Sequence, residues 1–409
     1  MADEERVRPA GARRPAGRKA QILALAGDRF HRDGYHQVSM AEVAAGVGIT
    51  APALYRHFRG KPELLHQVVR SGMDALAAGL ATAAGPAGLC EALGTVAIDH
   101  RALGTLWRRD ARLLPPAQRA ALRRELRADV RVMSAALGVD RPELGAVERE
   151  LLCWSLLSVY GGLSNHTFAP PRRRFERLLR SIGSALLAVS FDGARQEPPL
   201  PAVLPPPVPL PLPLPLTRPR HRREELLSAA VRLFHERGFD NVSTDQLGAA
   251  VGISGPSVYR HFDTKAALLA ASLVRSRERL WHEVDGAIAG AGGPDEALAA
   301  GLRAYIGFAR RNSHYLGAML SETERLAPAD RRAAIDFRRD FLRTWVGLLR
   351  QLRPEYDSAE ARIRVHSMFA LVNDGVRNRP YNAGADLADC LDRMSRAVLG
   401  LPGDGDTRD

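Results

Sequence analysis

The stretch Val47-Gly48-Ile49-Thr50-Ala51-Pro52-Ala53-Leu54-Tyr55-Arg56-His57-Phe58 decides the reading of this chain, because it is written twice. The second copy, Val251-Gly252-Ile253-Ser254-Gly255-Pro256-Ser257-Val258-Tyr259-Arg260-His261-Phe262, stands 204 positions later. The same offset runs without a gap through Phe30 and Phe234, Gly34 and Gly238, Val38 and Val242, Ser39 and Ser243, Lys61 and Lys265, and Leu64-Leu65 and Leu268-Leu269. An ungapped match of this length marks two copies of one ancestral unit.

Upstream of the quoted stretch, Ile22, Leu23, Leu25, Ala26 and Phe30 recur at helical spacing between Lys19 and Arg32, and Gly34 follows as a stop signal. Ser39-Met40-Ala41-Glu42 is a capping box, repeated as Ser243-Thr244-Asp245-Gln246. Each box opens a short helix, Ser39 to Ala45 or Ser243 to Ala250, which runs into a glycine turn at Gly46 to Gly48 or at Gly252. Thr50 or Ser254 then caps a third helix, expected to carry Tyr-Arg-His-Phe. Short helix, glycine turn and short helix make a helix-turn-helix. Leu54, Val258, Phe58 and Phe262 are expected in its core, with Ile22, Phe30 and Leu65.

Downstream, Leu64, Leu65, Val68, Val69, Met73, Leu76 and Leu80 continue a long helix toward Gly85-Pro86. Helical stretches are then expected at Leu89 to Leu103, Leu106 to Leu114, Pro116 to Leu137, Pro142 to His166 and Arg172 to Phe191. Unit two repeats the plan at Lys265 to Ile288, Pro294 to Arg311, Tyr315 to Leu326, Ala329 to Leu352, Ser358 to Asn378 and Ala385 to Leu399. The breaks fall at glycines and prolines, and no stretch shows the alternation of a strand. The expected fold class is all-α, in two units.

A chain of 409 residues suits two domains. A net charge of +12 favours a polyanionic partner, nucleic acid before an acidic membrane surface. Cys90, Cys153 and Cys390 are too scattered for a disulfide framework or a zinc site and read as small buried residues. No signal peptide is visible, and the apolar run Leu200 to Leu216 alternates with proline, which bars a membrane helix. A soluble, cytoplasmic protein is expected. Gly46-Val47-Gly48 is no nucleotide fingerprint, since no strand precedes it. No catalytic, metal or cofactor constellation stands out. His57 and His261 have no carboxylate or nucleophile at fixed spacing. The only lysines are Lys19, Lys61 and Lys265, and the last two share one repeat position.

The first helix, the capped helix, the Ala-Gly-Val-Gly-Ile turn, the Leu/Val-Tyr-Arg-His-Phe segment and the following Lys-x-x-Leu-Leu together resemble the N-terminal DNA-binding domain of TetR/AcrR-type transcriptional regulators, over about 47 residues per copy. Family members carry one such domain per chain and work as homodimers, whereas this chain carries two. The resemblance implies that Thr50, Ala51, Pro52, Ala53, Tyr55, Arg56, His57 and Lys61 face DNA in unit one. Ser254, Gly255, Pro256, Ser257, Tyr259, Arg260, His261 and Lys265 would do so in unit two. Arg56 and Arg260 are expected to read guanine O6 and N7, while Tyr, His and Lys grip phosphates. The segment Trp107-Arg108-Arg109-Asp110-Ala111-Arg112 is similar to one in TetR-type regulators of acyl-CoA metabolism, and Ser321-Glu322-Thr323-Glu324 replaces it in unit two. Ligand-site candidates are Trp107, Arg109, Arg112, Trp154, Asn165, His166, Tyr305, Trp345, Phe369 and Asn373.

The expected domains are a basic tail over 1–18, a helix-turn-helix domain over 19–65, a helical ligand and dimerisation domain over 66–195, a Pro-rich linker over 196–219, a second helix-turn-helix domain over 220–269, a second helical domain over 270–402 and a tail over 403–409. The 22 residues from Pro198 to Pro219, as polyproline II at about 3.1 Å per residue, span about 68 Å, more than the roughly 40 to 45 Å width of a unit. The expected function is a ligand-responsive regulator, a repressor for preference, acting on a double-stranded operator as a single-chain pseudo-dimer in the bacterial nucleoid. Its effector would be acyl-CoA-like or another apolar or anionic molecule. Whole chains pairing as homodimers, a small-molecule carrier or sensor with one or both DNA-binding units inactive, a regulator in which one unit alone still binds DNA, and an architectural DNA binder are the alternatives.

Overall fold

The computed structural model describes residues 17–191, 218–377 and 387–402. The expected basic tail, the Pro-rich linker and the 403–409 tail lie almost wholly outside them. Among the described residues every regular element is a helix. Unit one begins with α1 (Arg18–Asp33), α2 (Met40–Gly46) and α3 (Ala51–Tyr55), continues through the long α4 (Lys61–Thr82), and adds α5 (Gly85–Asp99) and a three-residue α6 (Leu103–Thr105). A π-turn at Leu106–Asp110 and a 3-10 turn at Ala111–Leu113 lead into α7 (Pro116–Asp140), α8 (Ala146–Gly161) and α9 (Arg172–Leu187). Unit two repeats the order as α10 (Arg218–Arg237), α11 (Thr244–Ala249), α12 (Gly255–Val258), α13 (Lys265–Ala289), α14 (Pro294–Arg311), α15 (Ser313–Ser321), α16 (Pro328–Leu352), α17 (Ser358–Gly375) and α18 (Leu387–Leu399).

Both helix-turn-helix corners are built from the same local bonds. Glu42 N donates to Ser39 Oγ at 3.2 Å and Ser39 N to Glu42 Oε2 at 2.7 Å; the Ser243–Gln246 box closes with two 3.1 Å bonds. Each box satisfies two amides that a helix start leaves without partners, worth about 1 kcal/mol. At the other end Gly48 and Gly252 adopt φ of 70° and 71°, the left-handed region where a Cβ is penalised. Ile49 N then donates to Ala44 O and Gly48 N to Ala45 O, and Ile253 N and Gly252 N do the same to Gly248 O and Ala249 O. This Schellman closure turns the chain sharply into the next helix. That next helix is shorter than the sequence suggests: α3 ends at Tyr55 and α12 at Val258, so Arg56-His57-Phe58 and Arg260-His261-Phe262 lie in the turn that follows. Leu54, Phe58, Val258 and Phe262 are buried there, which anchors the turn from below.

The two units pack on each other through α8 against α17 and α9 against α18. Small residues allow the approach. A Cβ on Gly162, in the 3-10 turn Gly162–Asn165 after α8, would lie 2.5 Å from the Ala370 Cβ of α17. Gly162→Leu is therefore expected to push the units apart at a cost of about 1–3 kcal/mol, as overpacking does. Lower thermal stability together with a larger solution radius of gyration is the expected reading. An unchanged radius would show that the seam accommodates the side chain.

The seam is also charged, and its charges are unlike on the two sides. Arg109 Nη1 donates to Glu324, Arg112 Nη2 pairs with Glu322 at 2.5 Å, Arg108 Nη1 meets Asp374 at 3.3 Å, and Arg174 pairs with Asp357 at 2.5 Å. The Arg-rich stretch of unit one and the Ser321-Glu322-Thr323-Glu324 stretch of unit two, repeat counterparts in sequence, thus face each other. Near the same place the first domains approach: His36 Nε2 lies 3.8 Å from Asp240, which Arg325 also holds.

Candidate nucleic-acid interface and ligand cavity

The residues expected at DNA separate into exposed and supporting groups. Tyr55 and Tyr259 are exposed by 52% and 51%, matched apolar rings left in solvent at equivalent positions. Pro52, Arg56, His57, Pro256 and Arg260 are exposed, and His261 is half-buried. No ion pair among the described residues holds Arg56 or Arg260. Thr50 spends its hydroxyl on the helix, accepting from Ala53 N at 3.4 Å, while Ser254 Oγ meets Ser257 Oγ at 2.8 Å. Ala51 and Ala53 are half-buried, Ala51 packing against the core. Gly255 corrects the expectation for its position: it is buried, and a Cβ there would meet Asp245 Oδ1 at 1.8 Å, so it shapes the corner instead of facing out.

Lys61 and Lys265 do work that spacing alone did not reveal. Lys265 Nζ donates to Phe239 O at 2.8 Å and Val242 O at 2.9 Å and sits 4.3 Å over the Phe239 ring. Lys61 Nζ reaches His36 O at 3.3 Å and lies 4.5 Å over the Tyr35 ring. Burial lowers the Lys61 ammonium below its ordinary value. Each ammonium thus pins the loop between the first two helices of its unit, with donor capacity left over.

The helical halves differ in what they enclose. In unit one, α4, α5, α7 and α8 surround a cavity of about 840 Å³, within the range of small-molecule sites. Its wall carries Met73, Leu76, Leu93, Val96, Trp107 and Trp154, and its basic side carries Arg108, Arg112, Arg119, Arg123, Arg127 and Arg377. Arg119, Arg123 and Arg127 recur every four residues along α7, and no carboxylate among the described residues pairs with them. Burial, then the like charges of Arg119 and Arg127, pull the Arg123 guanidinium below its ordinary value. Such a cationic row flanking an apolar wall suits a molecule with an apolar body and an anionic end. A polar cleft of about 240 Å³ between the units adjoins it, sharing Arg108, Arg112 and Arg377.

In unit two the corresponding α13, α14, α16 and α17 close on an aromatic cluster. Tyr305 packs 5.0 Å from Phe369 and 6.0 Å from Trp345, and Phe341 stacks on Phe369 at 5.6 Å. Tyr305 donates to Asn373 Oδ1 at 2.8 Å, which satisfies both polar groups inside the core. Tyr305, Trp345, Phe369 and Asn373, expected at a ligand, therefore pack inside unit two, and none of them lines the unit-one cavity or the inter-unit cleft.

Among the remaining ligand candidates, Trp107, Trp154 and Arg112 stand on the cavity wall. Arg109 does not. Its guanidinium grips Asp110 through Nε at 2.9 Å and Nη2 at 2.8 Å, and Nη2 donates also to Phe30 O at 2.6 Å. Asn165 is exposed at the edge of the inter-unit cleft. His166 belongs to the seam. Its ring lies 4.1 Å from Phe168 and 4.7 Å from His366 of unit two, and Nδ1 accepts from Arg101 Nη2 at 2.7 Å. Sequence reasoning missed Arg119, Arg123, Arg127, Asp374 and Arg377; the four-residue spacing on α7 was the available signal for the first three.

Burial, with neighbouring cations, holds His166 down to about 2 and His366 to about 4. Protonating His166 Nδ1 would set it against the Arg101 guanidinium. The unfolded chain, with an ordinary value near 6.5, takes up these protons first, so stability is full above about pH 6.5 and is lost as pH falls toward 4. The melting temperature at pH 5 is expected below that at pH 7.5, with a smaller difference in His366→Gln; identical profiles for the two proteins would remove His366 as a cause.

The family described as "Bacterial regulatory proteins, tetR family" matches residues 22–68 and 226–272. The HTH-type transcriptional activator FasR of Mycolicibacterium smegmatis is 37% identical over 79 residues, which is 18% of this chain and 36% of that protein. The HTH-type transcriptional repressor BdcR of Escherichia coli is 44% identical over 57 residues, 14% of this chain and 29% of that protein. The matches thus span about a third of these relatives' lengths. Among solved structures, a TetR-family regulator from Bordetella parapertussis aligns with a TM-score of 0.41 at 19% identity, over 44% of this chain and 94% of that one. The two family matches fall on the two copies of the helix-turn-helix domain, one in each half of a chain whose regular elements among the described residues are all helices.

Proposed function

We propose that this chain is a ligand-responsive transcriptional regulator, a repressor for preference, whose two units pair within one polypeptide and offer two recognition segments to one operator. The observation that carries the reading is the repetition of one corner, from capping box to Schellman turn to exposed Tyr-Arg pair, in both halves. The α8–α17 and α9–α18 packing supports pairing inside the chain, since it brings the first domains near each other at His36 and Asp240. Arg56 and Arg260 read guanine in this account, while Tyr55, Tyr259, His57 and His261 hold phosphates. Recognition segments about one helical turn apart, ~34–36 Å, enter successive major grooves.

The unit-one cavity is the effector site, and its apolar wall with a row of unpaired arginines favours an amphipathic anion of the acyl-coenzyme A type. The chain works in the cytoplasm under this reading. Selection of bound sequences from random duplex DNA, with the mass of the complex read by light scattering, tests it. Two related half-sites under one 44.6 kDa chain are expected. A protein mass twice that value would mean that whole chains pair, and no enrichment of any sequence would sink the regulatory reading.

A further inference from the structure

The basic end of the unit-one cavity is not built by unit one alone. Asp374, in the last turn of α17, and Arg377, just beyond it, stand on the wall beside Arg108. Arg108 Nη2 donates to Gly161 O at 2.8 Å and Ser164 Oγ at 3.0 Å, which fixes the plane of the guanidinium. Its Nη1 meets Asp374 Oδ2 at 3.3 Å. Arg377 holds the other Asp374 oxygen and ties itself to Asn373 O at 2.8 Å. The Arg108 and Asp374 side chains retain only 16% and 19% of their exposure, so little water screens the pair.

Seven arginines line this cavity against two carboxylates, Glu150 and Asp374. An anion entering it is drawn to the basic side, where two guanidiniums are already committed across the seam, Arg112 to Glu322 and Arg108 to Asp374. Of Glu322 and Asp374, Asp374 is the one on the cavity wall. Two anions cannot share Arg108 Nη1 at close range without strong mutual repulsion in so dry a place. We propose that a ligand's anionic end and unit two compete for Arg108: the ligand takes the guanidinium from Asp374, and filling the cavity thereby loosens α17 from unit one. The proposal rests on the reading of the cavity as the effector site. It makes Arg108 the point where occupancy becomes a change between units. Linkage requires the reverse as well, so that weakening the Asp374 contact strengthens binding. One such site per chain is expected, because among the described residues the equivalent helices of unit two close on their aromatic cluster.

Calorimetric titration of the full chain with decanoate and with decanoyl-coenzyme A tests this, the first offering a carboxylate and the second phosphates. One probe molecule per chain is expected, with Asp374→Asn binding about 5–10-fold tighter than the unaltered protein. Arg108→Gln should bind at least 10-fold more weakly. Arg123→Gln, which touches neither Asp374 nor the seam, should also weaken binding, and more for the phosphorylated probe. Equal or weaker binding by Asp374→Asn, with Arg108→Gln and Arg123→Gln both impaired, would overturn the competition and leave the cavity reading standing. Failure of both probes to bind the unaltered protein would overturn both. Hydrogen exchange of the unaltered chain guards against a variant that folds badly: amides 370–377 should exchange faster at probe saturation, and unchanged protection there would overturn the proposal by itself.

Discussion

Arg109→Ala is expected to lower the stability of the protein by about 3–5 kcal/mol, the cost of breaking a buried ion pair from one side. Arg109 is 8% exposed and Asp110 3% exposed, and the guanidinium holds both oxygens of that carboxylate in a fork. Alanine leaves Asp110 charged in a place without water and strips Phe30 O, near the end of α1, of its donor. It also releases Glu324 of unit two, whose carboxyl burial already raises above its ordinary value. The loss should therefore appear both in unfolding and in the hold of α1 on the seam. Arg109→Lys keeps the charge without the planar fork and should fall between the two. Urea unfolding followed by tryptophan fluorescence measures the effect. A loss below about 1 kcal/mol would mean that water reaches Asp110 and that the cluster is ornamental to folding.

Arg56→Ala combined with Arg260→Ala is expected to erase sequence preference on DNA while sparing weak, salt-sensitive binding. Each change should cost about 1–3 kcal/mol on the selected duplex, and the two should add because they lie in separate domains. The exposed tyrosines and histidines would still meet phosphates, so affinity for a scrambled duplex should hardly move. Fluorescence anisotropy with both duplexes separates the cases. If the double variant keeps the unaltered protein's ratio of affinities, these arginines are not base readers. If only one single variant matters, one unit alone reads sequence.

The duplication and its corners were legible because local chemistry writes them. A capping box, a glycine that must go left-handed and buried Leu54 and Phe58 at fixed spacing specify the corner with no help from distant residues. Less legible was where the recognition segment ends, since Arg56 and His57 have helix-compatible types but follow a five-residue helix. The cavity was half legible. Trp107 and Trp345 look alike on their own helices, and whether such a ring lines a space or fills one depends on the summed volume of four helices. Phe341 and Tyr305 supply that volume in unit two. Arg109 was misplaced for a related reason: one of its partners, Glu324, lies 215 residues away in sequence. Gly255 looked like its counterpart Ala51 until Asp245 was seen to occupy the space above it.

The aromatic cluster of unit two has a consequence for how such a chain would answer its effector. A dimer with a cavity in each subunit has two binding events to couple, and its dose–response curve can be steepened by their cooperation. A chain with one cavity for two recognition segments has a single event, so its Hill coefficient stays at about one. Its transcriptional output would be graded, following effector concentration over a wide range in the manner of a dimmer and not of a threshold.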